Sequence, residues 1–275
     1  MLYVHQSNID TKIESDYHRK GIALLNFKKD YYEPFRKEMF GLDFSNPTID
    51  TFKKATKTLN VYYKNLTEFI AANGITSQSK LESTLLEELS VYLFKDIPEV
   101  KGKRLDFYNK AIFAGLKINS DLSLDIIKKD VDFCIGRKIQ LTIENQNPIT
   151  LTIPLVSVEV KTYLDATMFG EVKSSSKTLK SANPNSKAYV LMGYKCLADE
   201  HVLAARQDST LDELFVLRAG EGKPIDPYAL FIYWKEISSA IRLVTANNSL
   251  SVPGRLLMYN DLYQKLVAEK NMFNG

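Results

Sequence analysis

The sequence predicts an α/β fold, a mixed central β-sheet flanked by helices with helical additions at both termini. Three observations carry that prediction. Apolar residues recur at helical spacing over 48–73, and apolar and polar residues alternate toward the end of 149–161. Helices come first, a strand-rich centre follows, and a crossover helix leads to two later strands and C-terminal helices. We divide the chain into an N-terminal helical region (1–78), a core (79–220) and a C-terminal helical region packed on it (221–275).

In chain order, a first helix is expected over Asp16–Phe40, closed by the Ser45-Asn46-Pro47 turn. Thr48–Asn73 follows, with Phe52, Ala55, Leu59, Tyr62, Leu66 and Phe69 on one stripe and Gly74 as its stop. A helix from Ser79 has Ser79 and Glu82 at capping-box spacing, and Leu81, Leu85, Leu89, Tyr92 and Leu93 inward. On that helix Glu88 flanks the apolar stripe, while Glu87 points further toward solvent. Residues 96–111 read as a basic loop, and Leu122–Asp130 is short and mixed.

Val131–Gly136 reads as a strand with Val131, Phe133 and Ile135 on one face and Asp132, Cys134 and Gly136 on the other. The runs 139–143 and 149–153, joined by Glu144-Asn-Gln-Asn-Pro148, read as a hairpin, and Pro154 breaks or edges its ladder. A helix over about 166–181, strands over Ala188–Met192 and Leu214–Leu217, and a helix capped by Asp226 and opened by Pro227 complete the core. A last helix is expected over Leu256–Lys270.

Composition excludes little. At 275 residues there is room for one large domain or two small ones, and 45% hydrophobic with 25% charged residues is ordinary for a soluble protein. A net charge of +3 permits an anionic partner without requiring one. Cys134 falls in an apolar pattern, so a buried thiol is expected rather than a disulfide with Cys196. His5, His18 and His201 are scattered, with no zinc spacing and no nucleophilic triad. No secretory signal and no bilayer-length apolar run is evident, so a cytoplasmic protein with no membrane partner is expected.

The chemistry centres on Ile149–Asp165. Period two puts Glu159 and Lys161 on one face, roughly 7 Å apart along the strand. Charges ending an apolar strand are costly unless partnered. Asp132 on the preceding strand could join Glu159 in holding a divalent cation, most naturally Mg²⁺. Such a metal polarises a phosphate and acidifies its bound water, and Lys161 would orient that water and offset charge on the phosphate. Glu-Val-Lys occurs at 99–101, 159–161 and 171–173, and only the second closes an alternating strand with an acid-bearing strand before it. From spacing alone, a surface ion pair explains Glu159 and Lys161 at least as well as catalysis. Asp130 competes with Asp132, which is favoured because it lies inside the strand. Glu88 is a candidate further metal carboxylate, or a helix acid in a Glu-Glu pair. Lys173, Lys177 and Lys180 share one helix face and could neutralise DNA phosphates, or simply be solvated.

Asp132 with Glu159-Val160-Lys161 resembles the pattern of the PD-(D/E)XK nuclease superfamily. The stretch VEVKTYLDATM, then LKSANPNSKAYVLM and LDELFVLR, looks like Type II restriction endonucleases of the BbvCI kind, as does STLLEELSVYLFKD upstream. The resemblance covers about 79–220 and implies a restriction-endonuclease-like core. It implies Asp132 and Glu159 as metal ligands, Lys161 as catalytic lysine and Glu88 as helix acid. It further implies a Mg²⁺-dependent, sequence-specific endonuclease on double-stranded DNA, working as a homodimer or with a related second subunit. The proline that names the superfamily is replaced by Val131. The alternatives are a non-catalytic DNA-binding partner subunit, or a repair or transposon-type nuclease. Arg104, Arg206, Arg218 and Arg255 are available for base contacts.

Overall fold

The computed structural model describes residues 2–121, 123–142, 147–207 and 210–245. Met1–Ile241 form one compact unit. Arg242–Gly275 form a second, of which only the end of one helix, to Thr245, is described, so the helix expected over Leu256–Lys270 lies outside the described residues.

The N-terminal region holds more helix than its sequence pattern shows. Helix α1 (Val4–Glu14) was not expected. It buries only His5 and Ile9 of its own length, too few to leave a periodic stripe. Asp16, His18 and Arg19 take left-handed backbone angles, which end α1 and postpone the next helix to Gly21. There α2 (Gly21–Phe27) runs through a π-turn at Lys28–Tyr32 into α3 (Glu33–Gly41). Helix α4 (Ile49–Ala72) falls where its stripe predicts, and its capping box is Thr48 with Thr51.

Helix α5 (Leu81–Phe94) starts after a left-handed Lys80. The Ser79–Glu82 capping box does not form, because Glu82 instead accepts a hydrogen bond from the Tyr63 hydroxyl at 2.9 Å. Nearly all of α5 is buried, so it has no solvent flank of the kind a simple stripe suggests.

The basic stretch after it is not one loop. It forms α6 (Pro98–Lys101) and the short edge strand β1 (Asp106–Tyr108). Strands β2 (Ile112–Ile118) and β3 (Leu124–Lys129) form a largely exposed hairpin. Strand β4 (Phe133–Leu141) pairs antiparallel with β5 (Ile149–Leu164), as the hairpin reading expects. Helix α7 (Ala166–Ala182), β6 (Lys187–Lys195), α8 (Asp199–Gln207), β7 (Glu213–Val216) and α9 (Pro227–Thr245) follow. The Asp226 carboxylate caps α9 by accepting from the Tyr228 and Ala229 amides.

The seven strands make one mixed sheet, with β5 at its centre. Strand β4 lies antiparallel on one side of β5; on the other, β2 and then β6 run parallel to it, and β7 extends β6. Pro154 is inside β5 and does not break it, because a bulge opposite Gly136 absorbs the missing donor. One sheet face, with Phe133, Ile135, Val156, Val158 and Val160, shares a continuous core with α1–α5 and α9. The other, with Val190 and Met192, packs on Phe169 and Val172 of α7. Val131 packs with Cys134, not with Phe133, because the chain bends at Asp132 before β4 begins. Cys134 and Cys196 are both free thiols, buried and exposed respectively. Among the described residues no helix is long and apolar enough to cross a membrane.

Candidate active site

Strand β5 is buried through its middle, from Leu151 to Val158 for the most part, and brings partly exposed charged side chains to the surface toward its end. There the pleat puts Glu159 and Lys161 on one side, with Lys161 Nζ 3.9 Å from Glu159 Oε2. The β4–β5 register pairs Phe133 with Val158, which sets Asp132 beside Glu159. Lys161 Nζ is 3.8 Å from Asp132 Oδ2. Asp132 Oδ2 also accepts from the Val160 amide at 2.7 Å, so the bend residue is fastened to the strand it serves. The three side chains are 16–30% exposed, open enough to meet a ligand and dry enough to strengthen its charge interactions.

Asp132 therefore joins Glu159 and Lys161, although it precedes β4 instead of lying inside it. Asp130 is elsewhere: it is exposed and accepts from the Ala111 amide at 2.9 Å, holding a left-handed residue at the start of β2. Ser175 of α7 was not foreseen. Its hydroxyl donates to Glu159 Oε1 at 2.8 Å. The signal for it is the inward row Val172, Ser175, Ser176 and Leu179 on α7.

The helix acid is a correction. Glu88 is fully buried on the far side of α5, where α1 and the π-turn cover it. It accepts from the Gln6 amide (3.0 Å), Tyr32 (2.7 Å) and Tyr92 (2.5 Å), so its oxygens are committed to the helical core. Burial pushes its pKa up. Glu87 is the acid that turns to the site. It lines a cleft of about 160 Å³ with Lys80, Asp132 and Lys161. The sequence stripe inverted the two because it took α5 to have a wet side.

Charge around this cleft is unbalanced. Burial first, then the Asp132 charge, pushes Glu159 up. The same two causes push Glu87 up to about 8. Carboxyls raised in this way relax when a cation arrives. No group of three or more metal-binding side chains converges among the described residues. The donor set still fits a hard divalent cation that keeps several waters, since Mg²⁺ typically takes one or two protein carboxylates.

The Glu87 shift has a pH signature. The folded protein holds a proton on Glu87 between the ordinary 4.5 and about 8, which the unfolded chain has released. This contribution to stability is full below 4.5 and is lost as pH rises toward 8. In metal-free thermal melts Glu87→Gln is expected to flatten part of the decline across that window; an unchanged slope would show that Glu87 is not perturbed.

Gly193 of β6 sits against Thr162, the residue after Lys161. A Cβ there would lie 2.3 Å from the Thr162 carbonyl oxygen. Gly193→Ala is expected to cost roughly 1–3 kcal/mol of stability by forcing β5 and β6 apart. It should also slow catalysis below the variant's melting temperature, because the displaced strand carries Lys161.

The three lysines of α7 diverge. Lys180 is tied to Asp212 at 2.6 Å, a correction to its expected role on DNA. Asp212 also holds Lys187 and the Ala188 amide, so it pins α7 to β6. Lys173 lies over the Phe169 ring at 5.7 Å, and Lys177 is exposed. Arg218 is buried and stacked on Tyr63 at 3.6 Å. Arg104 is exposed, whereas the side chain of Arg206 and all of Arg255 lie outside the described parts.

A family model described as Bpu10I restriction endonuclease matches residues 78–224, just over half of the 275 residues. No curated protein matches the chain. Among solved structures, "native BbvCI A2B2 tetramer at low resolution" is similar at 15% identity with a TM-score of 0.71, covering 90% of this chain and 100% of that one. At that identity the likeness establishes the fold.

Proposed function

Because the chain belongs to the Bpu10I restriction endonuclease family, we propose that it is a Mg²⁺-dependent, sequence-specific endonuclease of double-stranded DNA, or one subunit of such an enzyme. The observation that carries this reading is the approach of Lys161 to within 4 Å of both Asp132 and Glu159, inside the matched segment.

Asp132 and Glu159 would hold the metal. When bound, a divalent cation polarises the scissile phosphate and acidifies a water. The chain's own groups do the rest. The Val160 amide fixes Asp132 and the Ser175 hydroxyl fixes Glu159, so both carboxylates are oriented before substrate arrives. Lys161 orients the attacking water and offsets the charge that builds on the phosphate. Glu87 closes one wall of the cleft and adds negative charge when ionised. Lys177 is exposed on α7 for a backbone phosphate.

One such centre cuts one strand, so two are needed for a duplex. The tetramer of two chain types named for the BbvCI structure supports pairing with a related second subunit. The test is supercoiled plasmid incubated with the chain, alone and with any such subunit, in Mg²⁺ or EDTA. Discrete fragments or site-specific nicks in Mg²⁺ alone are expected. Metal-independent cutting or a smear would contradict specific metal-dependent hydrolysis. Binding without cutting, even with the subunit present, would favour a non-catalytic role.

A further inference from the structure

The basic stretch 100–110 lies apart from the catalytic cleft, and the reaction as derived makes no use of it. Its cations do not disperse. Lys101 at the end of α6 and Lys103 in the turn after it, with Arg137 and Lys138 from β4, line one open cleft of about 920 Å³ over β1. All four are exposed and none is in an ion pair among the described residues. Two more cations at its wall are already engaged, Lys95 with Asp96 and Arg104 with Glu99. The one carboxylate lining the cleft, Asp106, accepts from the Phe107 amide.

This concentration is not a property of the whole surface. The entire chain carries a net charge of only +3, so four cations gathered in a cleft with one lining carboxylate, Asp106, leave the remainder close to neutral. Two segments distant in sequence contribute, which sets the cleft apart from the solvated face of a single helix. Protein interfaces are depleted in lysine. Backbone phosphates are held by lysine and arginine. The cleft is also tied mechanically to the site. Strand β4 begins one residue after Asp132, and Arg137 lies four residues, about 14 Å, beyond its first residue at the usual rise per residue. At about 3.4 Å per base pair, that is the length of some four base pairs.

We propose that Lys101, Lys103, Arg137 and Lys138 form a second phosphate-binding surface, which grips the DNA backbone away from the cutting centre. The proposal rests on the nuclease reading and locates where the duplex leaves the catalytic cleft. It makes the β1 edge a docking surface that secures affinity and register without reading bases.

The experiment neutralises all four in one variant (Lys101→Gln, Lys103→Gln, Arg137→Gln, Lys138→Gln). A control variant removes the same charge elsewhere (Lys29→Gln, Lys57→Gln, Lys64→Gln, Lys223→Gln). Binding of a mixed-sequence duplex of about 40 base pairs is followed against salt, in Ca²⁺, for both variants and the unmodified chain. The cleft variant is expected to lose at least tenfold in affinity and about three units of the log–log salt slope. The control should keep most of its slope, and both should cut plasmid at low salt and saturating enzyme. Equal slopes for all three proteins, or equal losses in both variants, would overturn the proposal. So would unchanged DNA binding with lost assembly, which would assign the cleft to an acidic protein partner. A chain that shows no binding even without substitution would instead contradict the nuclease reading.

Discussion

Lys161→Ala is expected to lose roughly 10³-fold or more in plasmid cleavage while still binding DNA. Lys161 is the one cation within 4 Å of Asp132 and Glu159 among the described residues, so removing it leaves two carboxylates facing the phosphate unassisted. The loss should be in the chemical step, and single-turnover cleavage read beside a gel shift in Ca²⁺ separates it from binding. Stability should change little, since both ion pairs are long and partly exposed. Cleavage at the unmodified rate would show that the β5 exit is a surface ion pair and that the chemistry lies elsewhere.

Glu88→Ala should have the opposite profile. Its carboxylate receives Tyr32, Tyr92 and the Gln6 amide in a fully buried region. Truncation strands two hydroxyls and an amide, at a cost of about 3 kcal/mol. The expected fall in melting temperature is roughly 6–12 °C. The protein that remains folded should cut with unaltered Mg²⁺ dependence. Glu88→Gln, which keeps an acceptor, should lose less stability than Glu88→Ala. A Glu88→Ala protein that melts normally but fails to cut would return Glu88 to the metal site.

The contrast between these two residues shows what the sequence could disclose. Glu159 and Lys161 were legible because a strand's period is two, so their shared face follows from counting. Helix α4 was legible because its stripe is long and one side of it is wet. Neither condition holds for α5, which is enclosed by other helices and by the sheet. Counting along a buried helix cannot say which of two adjacent acids meets a tyrosine and which meets the site. Helix α1 buries too little of itself to leave a pattern, and β1 exists only because β4 offers it an edge. The strand pattern favours Asp132 over Asp130 for its place inside a strand. The structure instead brings it to the site through a bend fastened by the Val160 amide. The Lys180–Asp212 pair joins residues far apart in the chain, so no local pattern could reveal it.

The central claim is that Asp132 and Glu159 together supply the metal's protein ligands and that Glu88 supplies none. Mn²⁺, used as a spectroscopic substitute for Mg²⁺, tests it without depending on turnover. Titrations followed by electron paramagnetic resonance, in the presence of duplex DNA, compare Lys161→Ala alone with Lys161→Ala carrying Asp132→Asn, Glu159→Gln or Glu88→Gln. The claim predicts a tight Mn²⁺ site that disappears with Asp132→Asn and with Glu159→Gln and persists with Glu88→Gln. Undiminished Mn²⁺ binding after Asp132→Asn and Glu159→Gln, or its loss with Glu88→Gln in a folded protein, would contradict it.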